Sequence, residues 1–265
     1  ATPLLGNPLA VVHDGTGLGD AQMAAFARWT NLSETTFLLP PTDADADYRV
    51  RIFTPAGELP FAGHPTLGSC HAWLAGGGRP QRKAEVVQQC GVGLVRIRRD
   101  SERLAFAAPP LRRTGAADAA TRAHVARSLR LPEAALRAVQ WVDNGPGWVG
   151  ALLHDAAAVL ALKPDFAAMA ELKVGVVGPY PAGSECAFEV RAFVPALSVP
   201  EDPVTGSLHA GLALWLIDAG LAPARYVASQ GTALGRAGRV HVQRAGDDTW
   251  VGGDVCALVT GTVAL

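Results

Sequence analysis

The chain has 265 residues, a length that fits one large domain or two of ordinary size. Hydrophobic residues make up 49% of it and charged residues 18%, a composition that predicts a folded protein with a substantial core and not a disordered one. The net charge of −1 gives no general attraction to nucleic acid or to an anionic membrane. The longest apolar stretches are shorter than the ~20 residues that cross a bilayer, so we expect neither kind of partner.

The cysteines and the start of the chain favour a cytoplasmic location. No signal-peptide pattern opens the chain. Residues 1–5 run directly into a Gly-Asn-Pro turn where a strand is expected, so we expect residues to be missing before them. The four cysteines lie far apart and form no Cys-x-x-Cys pair, which is typical of reduced thiols, at positions Cys70, Cys90, Cys186 and Cys256.

Short strand-like runs dominate the chain, with amphipathic helices between them. Strands are predicted over residues 9–13, 36–39, 48–53, 92–98, 148–154, 188–194, 240–243 and 255–265. Helices are predicted over residues 20–29, 66–74, 117–128 and 205–219. Residues 112–117 separate two halves, which predicts an N-terminal lobe over residues 1–112 and a C-terminal lobe over residues 113–265. The last strand is expected to return to the first lobe.

An internal repeat relates the two halves. Residues 48–55, YRVRIFTP, match residues 188–195, FEVRAFVP, and the arginine, the phenylalanine and the proline are identical. Residues 65–72, PTLGSCHA, match residues 203–210, PVTGSLHA, after a loop that differs by two residues in length. A duplicated unit of strand, loop and helix predicts two similar lobes that face each other across a cleft.

This alignment places a helix N-terminus from each half at the predicted cleft. The unpaired backbone N–H groups there would suit a carboxylate, and Gly68 and Gly206 would let a ligand approach the backbone closely. The residue before each aligned proline differs, His64 in the first half and Asp202 in the second. An imidazole and an acid at equivalent positions indicate that the symmetry was broken for chemistry.

Each candidate residue also has an ordinary structural interpretation. Glu34, in the segment NLSETTF, could be a solvated turn carboxylate or a cap of a nearby N–H group. His64 could be a surface imidazole, and Asp202 could cap a helix with proline in its first turn. The histidines show no metal-ligand spacing, and no nucleotide-binding or Gly-x-Ser-x-Gly motif occurs. The sequence therefore predicts no metal and no cofactor.

Five segments, in the right order and spacing, resemble the PhzF-like family of phenazine biosynthesis. The match runs from residue 6 almost to the end, and Gln230-Gly231 and Gly235-Arg236 fit as well. The resemblance implies an α+β fold of the diaminopimelate-epimerase type, in which two pseudo-symmetric lobes each curl a β-sheet around a central helix and the active site lies between them. The five segments are residues 6–12 (GNPLAVV), 31–37 (NLSETTF), 51–55 (RIFTP), 58–68 (ELPFAGHPTLG) and 202–207 (DPVTGS).

The resemblance also implies an activity. In the phenazine-pathway enzyme a glutamate moves a proton between ring carbons of trans-2,3-dihydro-3-hydroxyanthranilate without a cofactor, and this glutamate corresponds to Glu34. The family's histidine and aspartate partners correspond to His64 and Asp202. The family forms homodimers, which implies a homodimer here.

Substrate-binding positions follow from the same resemblance. The family's serine corresponds to Ser207, and the amides of Gly206 and Ser207 at a helix N-terminus would suit the substrate carboxylate. Gly63 is predicted to bind substrate from the other half.

Other activities stay open at this point. Diaminopimelate epimerases and proline racemases of this fold use two cysteines, and because Gly63-His64 and Gly206-Ser207 occupy those turns, we expect no two-thiol racemase. An epimerase or dehydratase of another amino or hydroxy acid is one alternative, and a non-catalytic small-molecule-binding protein is another. The presence of Glu34, His64 and Asp202 together argues against a pure binding protein, because such a protein needs no proton carrier. The true substrate and the role of His209 are not determined by the sequence.

Overall fold

A computed structural model describes residues 2–100, 103–197 and 199–265 of the chain. The strands within this range are β1 (Leu9–Val12), β2 (Glu34–Leu39), β3 (Tyr48–Thr54), β4 (Gly57–Leu59), β5 (Glu85–Cys90), β6 (Gly93–Asp100), β7 (Arg103–Ala107), β8 (Arg113–Ala116), β9 (Ala138–Asp143), β10 (Trp148–Leu152), β11 (Lys173–Pro179), β12 (Phe188–Val194), β13 (Val199–Asp202), β14 (Arg225–Gln230), β15 (Gly238–Ala245) and β16 (Asp248–Gly253). The helices are α1 (Asp20–Thr30), α2 (Gly63–Ala75), α3 (Ala119–Leu129), α4 (Ala156–Leu160), α5 (Phe166–Met169) and α6 (Gly206–Asp218).

These strands belong to one curled sheet that runs through both halves of the chain. Its order is β1-β2-β3-β5-β6-β7-β16-β15-β14-β12-β11-β10-β9-β8, with β4 added beside β3 and β13 beside β12. The antiparallel pair β7–β16 joins the two halves. Helix α2 packs against β1, β2, β5 and β7, and α6 packs against β9, β10, β15 and β16. This is the predicted α+β architecture, with a central helix inside each curl of the sheet.

The strand register reproduces the sequence repeat in three dimensions. Strand β3 lies between antiparallel β2 and parallel β5, and β12 lies between antiparallel β11 and parallel β14. A short antiparallel strand leads from each to the central helix. In these pairs Phe53 is opposite Glu58, and Phe193 is opposite Glu201. The equivalence of residues 48–55 and 188–195 therefore extends to their neighbours in the sheet.

The two central helices, α2 and α6, align with each other in a different register from the one that the sequence predicted. Helix α2 begins at Gly63 and α6 at Gly206, and both have 13 residues. Each glycine follows a glutamate by five positions, Glu58 in the first half and Glu201 in the second. The pattern Glu-x-Pro-x-x-Gly, present in both halves, thus relates the two loops. Gly63 and Gly206 are the equivalent positions.

The alignment that equated Gly68 with Gly206, and His64 with Asp202, is therefore wrong. Gly68 faces no ligand, because a Cβ atom there would lie 2.4 Å from Leu9 Cδ2. Its missing side chain lets β1 pack onto α2. The Pro-x-x-Gly-Ser segment that suggested the earlier register begins inside α2 in the first half, but before the start of α6 in the second.

The C-terminal segment also differs from the prediction. Residues 255–265, predicted to form a strand, have no regular secondary structure and are mostly exposed. The strand that returns to the first half is β16, which pairs with β7. Because β6 and β16 occupy both edges of β7, the apolar run at the C-terminus has no edge of that strand to pair with. Within the described part of the chain, no helix is long and apolar enough to cross a membrane.

The repeated Arg-x-Phe sequence forms the same structure twice. Arg191 makes two hydrogen bonds to the Glu201 carboxylate, at 2.8 and 2.7 Å, and its guanidinium lies 5.0 Å from the ring of the phenylalanine two residues later. Arg51 and Glu58 repeat this arrangement at 2.8 and 2.6 Å, again with a ring at 5.0 Å. The side chains of Arg191 and Glu201 are 7% and 8% exposed, whereas those of Arg51 and Glu58 are 16% and 42% exposed.

We expect the buried pair to contribute more to stability than its counterpart. Glu201→Gln leaves the Arg191 charge uncompensated inside the protein, which costs about 3 kcal/mol of unfolding free energy or more. Glu58→Gln breaks a pair with one exposed partner and costs about 1 kcal/mol or less. Urea unfolding of both variants measures the difference. Equal losses would show that burial does not separate the two pairs.

Candidate active site

The N-termini of the two central helices touch at a pair of glycines. A Cβ atom on Gly63 would lie 2.4 Å from Gly206 Cα, and one on Gly206 would lie 2.7 Å from Gly63 Cα. Any side chain at either position would collide with backbone, so this contact requires glycine on both sides. The first turns of α2 and α6 therefore meet in one cleft. Its empty volume is about 550 Å³ when the space open to solvent is included.

Residues from both halves line this cleft. Two of the lining residues, Trp148 and Lys173, are side chains that the sequence did not single out. The cleft brings together every site residue that the sequence predicted: Glu34, Gly63, His64, Asp202, Gly206 and Ser207.

Glu34 and His64 face each other at the edge of the cleft. Strand β2 begins at Glu34, and His64 lies in the first turn of α2. Glu34 Oε2 and His64 Nε2 are 3.1 Å apart, within ion-pair distance. Among the described residues neither atom has another hydrogen-bond partner. The carboxylate and the imidazole are therefore partners of each other at the cleft.

The Glu34 charge affects both of its ionisable neighbours. Burial disfavours the charged form of His64, but attraction to Glu34, and more weakly to Asp202, outweighs it and raises the pKa of His64. Burial, followed by repulsion from Glu34, raises the pKa of Asp202 to about 6. The cleft therefore holds groups that exchange protons near neutral pH, which is the range that acid–base catalysis uses.

Asn7 connects the two halves beside the cleft. Its side-chain nitrogen donates to Asp202 Oδ1 at 2.8 Å and to the Val204 carbonyl at 3.0 Å, and it lies 3.1 Å from His64 Nδ1. Its side-chain oxygen accepts from Ser33 Oγ at 2.8 Å. The sequence included Asn7 only as part of the GNPLAVV segment. Its position directly before the first strand, at the start of a resembling motif, was the available signal.

A buried network behind Asp202 holds the turn that leads into α6. Gln230 Oε1 accepts from the Thr205 N–H at 2.8 Å, and Gln230 Nε2 donates to the Asp202 carbonyl and to Thr205 Oγ1, both at 2.9 Å. Thr205 Oγ1 in turn donates to Asp202 Oδ2. Both hydrogens of the Gln230 amide are used in these bonds. The orientation of the Asp202 turn therefore depends on Gln230, at the end of β14.

His209 completes this network and has no access to the cleft. Its Nε2 lies 2.9 Å from Gln230 Oε1, and the side chain is buried. Burial lowers the pKa of His209 to about 4, so the ring is neutral at pH 7 and donates to Gln230 from Nε2. The role that the sequence left open is therefore positional, acting on the Asp202 turn through Gln230.

The second half orients Ser207 in the same way. Trp148 Nε1 donates to Ser207 Oγ at 3.0 Å, and Asn144 Nδ2 donates to the Ser207 carbonyl at 2.8 Å. An indole N–H can only donate, so Ser207 Oγ is the acceptor there. The hydroxyl hydrogen is thereby left for an acceptor in the cleft.

The reactive groups of the cleft are carboxylates, an imidazole, an amine and hydroxyls. None of the four cysteines lines it. Cys70 is buried inside α2, and burial raises the pKa of its thiol to about 12. No group of three His, Cys, Asp or Glu residues in the described ranges is arranged to hold a metal ion.

His209 predicts a specific dependence of stability on pH. Its pKa is lower in the folded chain than in the unfolded one, so the unfolded state binds more protons below about pH 6.5 and stability falls as the pH falls toward 4. Between pH 7 and pH 5 we expect His209 to account for a loss of about 2 kcal/mol. Urea unfolding at both pH values should show this loss in the wild type and in the exposed-site control His154→Gln, but reduced by that amount in His209→Gln. Equal losses in all three proteins would contradict the assignment.

Known proteins resemble this chain over nearly its full length. The family model described as "Phenazine biosynthesis-like protein" (PhzC-PhzF) matches residues 1–261. Antisense-enhancing sequence 1 of Schizosaccharomyces pombe is 35% identical over 246 residues, which cover 87% of this chain and 82% of that protein. The trans-2,3-dihydro-3-hydroxyanthranilate isomerase of Pseudomonas aeruginosa is 34% identical over 255 residues, which cover 92% of this chain and 87% of that protein.

Solved structures agree with these relatives. A predicted epimerase from Pseudomonas aeruginosa superposes with a TM-score of 0.75 and 29% identity, over 98% of this chain and 95% of the other. A probable proline racemase of Agrobacterium radiobacter has the same fold, with a TM-score of 0.62 and 14% identity over 98% of this chain and 90% of the other. The predicted fold class is thus confirmed. The chain belongs to the phenazine biosynthesis-like (PhzC-PhzF) family and is an isomerase of that family.

Proposed function

We propose that the protein is a cofactor-independent isomerase that moves a proton between carbon atoms of a small carboxylated substrate, with Glu34 as the proton carrier. The observation that carries this proposal is the Glu34 carboxylate, which lines the cleft, is 8% exposed and lies 3.1 Å from the His64 imidazole. A carboxylate in this state can take a proton from one carbon and return it to another on the same face of the substrate.

His64 and Asp202 support this proton transfer. His64 Nε2 lies 3.1 Å from the Glu34 carboxylate and can donate to negative charge that develops on the substrate. Asp202, with its pKa raised to about 6, is suited to hold an amino or hydroxyl group of the substrate. Asn7 donates to Asp202 and lies 3.1 Å from His64 Nδ1, so it adjoins both residues.

The substrate carboxylate is assigned to the N-termini of the central helices. Unpaired N–H groups at Gly63, Gly206 and Ser207 and the partial positive charge of each helix favour an anion. The Ser207 hydroxyl, which accepts from the Trp148 indole, adds a donor to the cleft. These groups lie in the same cleft as Glu34, so a small acid can contact both.

Trans-2,3-dihydro-3-hydroxyanthranilate is the substrate we propose, in a phenazine-type biosynthetic pathway. Its carboxylate, amino and hydroxyl groups correspond to the helix N-termini, Asp202 and His64 of the cleft. The support from relatives is the 34% identity to the Pseudomonas aeruginosa isomerase named for this compound. A homodimer in the cytoplasm is part of the same proposal.

Proton NMR in D₂O tests the proposal with purified protein and this compound. We expect substrate signals to disappear as deuterium enters the ring. Glu34→Gln cannot carry the proton and should lower kcat by about 10²–10⁴-fold. Glu133→Gln, which removes an exposed carboxylate away from the cleft, is the matched control and should keep full activity.

The outcomes separate the competing functions. Full exchange in Glu34→Gln would refute its role as proton carrier. Exchange of a substrate hydrogen for deuterium, without formation of the isomerised product, would favour an epimerase of an amino or hydroxy acid. Binding without any exchange, by folded wild-type protein, would favour a non-catalytic small-molecule-binding protein.

A further inference from the structure

Lys173 occupies the position in the second half that Glu34 occupies in the first. Strand β2 begins at Glu34, and β11 begins at Lys173. In each case the next residue of the strand is opposite one of the two equivalent phenylalanines, Phe53 on β3 and Phe193 on β12. Both Glu34 and Lys173 line the same cleft. The duplicated fold therefore presents a carboxylate to the cleft from one half and an amine from the other.

The amine of Lys173 is available to a ligand. Its Nζ donates to the Pro146 carbonyl at 2.6 Å, and within residues 2–100, 103–197 and 199–265 no carboxylate lies within ion-pair distance of it. Burial lowers the pKa of Lys173, against the weaker opposing effects of Asp143 and Glu171. An ammonium has three hydrogens to donate, so two remain after the bond to Pro146. A bound anion would satisfy them and would favour the charged form.

Lys173 lies on the same wall of the cleft as the start of α6. It is opposite Trp148 in the parallel register of β10 and β11, and the Trp148 indole donates to Ser207 Oγ in the first turn of α6. The Lys173 side chain and the Ser207 hydroxyl thus come from adjoining elements of the second half. Glu34 approaches from the first half.

The negative charges of the cleft also make a second cation favourable for binding an anionic substrate. Glu34 and Asp202 would repel an anionic substrate, and His64 is already placed against Glu34. Lys173 adds positive charge to the cleft from the second half, whereas Glu34 and His64 come from the first. Of the three lysines in the chain, the other two, Lys83 and Lys163, are exposed.

We propose that Lys173 binds the substrate carboxylate together with the N-terminus of α6, and that this contact selects carboxylated substrates and orients them toward Glu34. This inference rests on the proposed function, since it concerns the substrate of the same site, and it deepens that function by naming a specificity-determining residue. It assigns different parts to the two equivalent positions. Glu34 acts on the carbon atoms, and Lys173 holds the anion.

Two ligands that differ only in the carboxylate test the proposal. Calorimetry measures the binding of 3-hydroxyanthranilate and of 2-aminophenol, the same ring without the carboxylate. Lys173→Met removes the charge and keeps a long unbranched side chain, and we expect it to weaken binding of 3-hydroxyanthranilate by about 10–100-fold. Binding of 2-aminophenol should not change. Lys173→Arg should restore most of the affinity, and the exposed-site control Lys163→Met should behave as wild type.

Two results with these variants would overturn the proposal. An equal loss for both ligands in Lys173→Met would mean that Lys173 only shapes the cleft. An unchanged affinity for 3-hydroxyanthranilate would mean that the amine does not contact the carboxylate. In protein that turns over the proposed substrate, Lys173→Met should raise KM, whereas Glu34→Gln should lower kcat.

A further measurement separates this proposal from the proposed function. If the wild type does not bind 3-hydroxyanthranilate, the substrate class of the proposed function fails, and acetate replaces it as the minimal carboxylate. Reductive ¹³C-methylation keeps the charge of the lysines, and Lys173→Arg identifies the Lys173 signal in the NMR spectrum. A shift of that signal with acetate supports the role of Lys173. No shift, with the protein shown to be folded, overturns it.

Discussion

The contact between Gly63 and Gly206 is the constraint on which the rest of the site depends. A Cβ atom on either residue would penetrate the backbone of the other helix, so α2 and α6 can meet end to end only with glycine at both positions. Each N-terminus carries roughly half a positive charge, and two of them side by side favour negative groups nearby. Glu34 and Asp202 supply negative charge from the protein, and an anionic substrate would supply the rest.

The two halves are symmetric in their strand pairing but differ in the side chains that line the cleft. The arginine–glutamate pairs of β3 and β12 are preserved, with the same ring contact at 5.0 Å in both halves. At the cleft the equivalent positions differ. His64 follows the first glycine and Ser207 the second, and Glu34 is opposite in charge to Lys173. In the proposed function, one half of the duplicated fold serves proton transfer and the other serves anion binding.

Residues that never contact a ligand hold this asymmetric site in place. Asn7 bonds to Asp202 across 195 positions of sequence and brings the N-terminal segment to the second half. Gln230 and His209 hold the Asp202 turn from behind, inside the core. Because the polar groups of Gln230 and His209 are buried and paired, displacing either of them leaves an unsatisfied partner, which costs about 1–3 kcal/mol. The geometry around Glu34 is therefore set before substrate arrives.

Local patterns in the sequence determined the strands around the repeat and the central helices to within a few residues, and the resemblance to a known family supplied the fold class and the predicted site residues that meet in the cleft. Apolar periodicity and matching motifs are properties of neighbouring residues, so they can be read without the fold. The tertiary structure decided the register of the two helices, where the Gly63–Gly206 contact overrode a similarity that had aligned Gly68. It also decided that residues 255–265 form no strand, since β7 has no free edge. Lys173 became visible only through its strand pairing, because equivalence to Glu34 depends on which residues face each other across the sheet and not on their order in the chain.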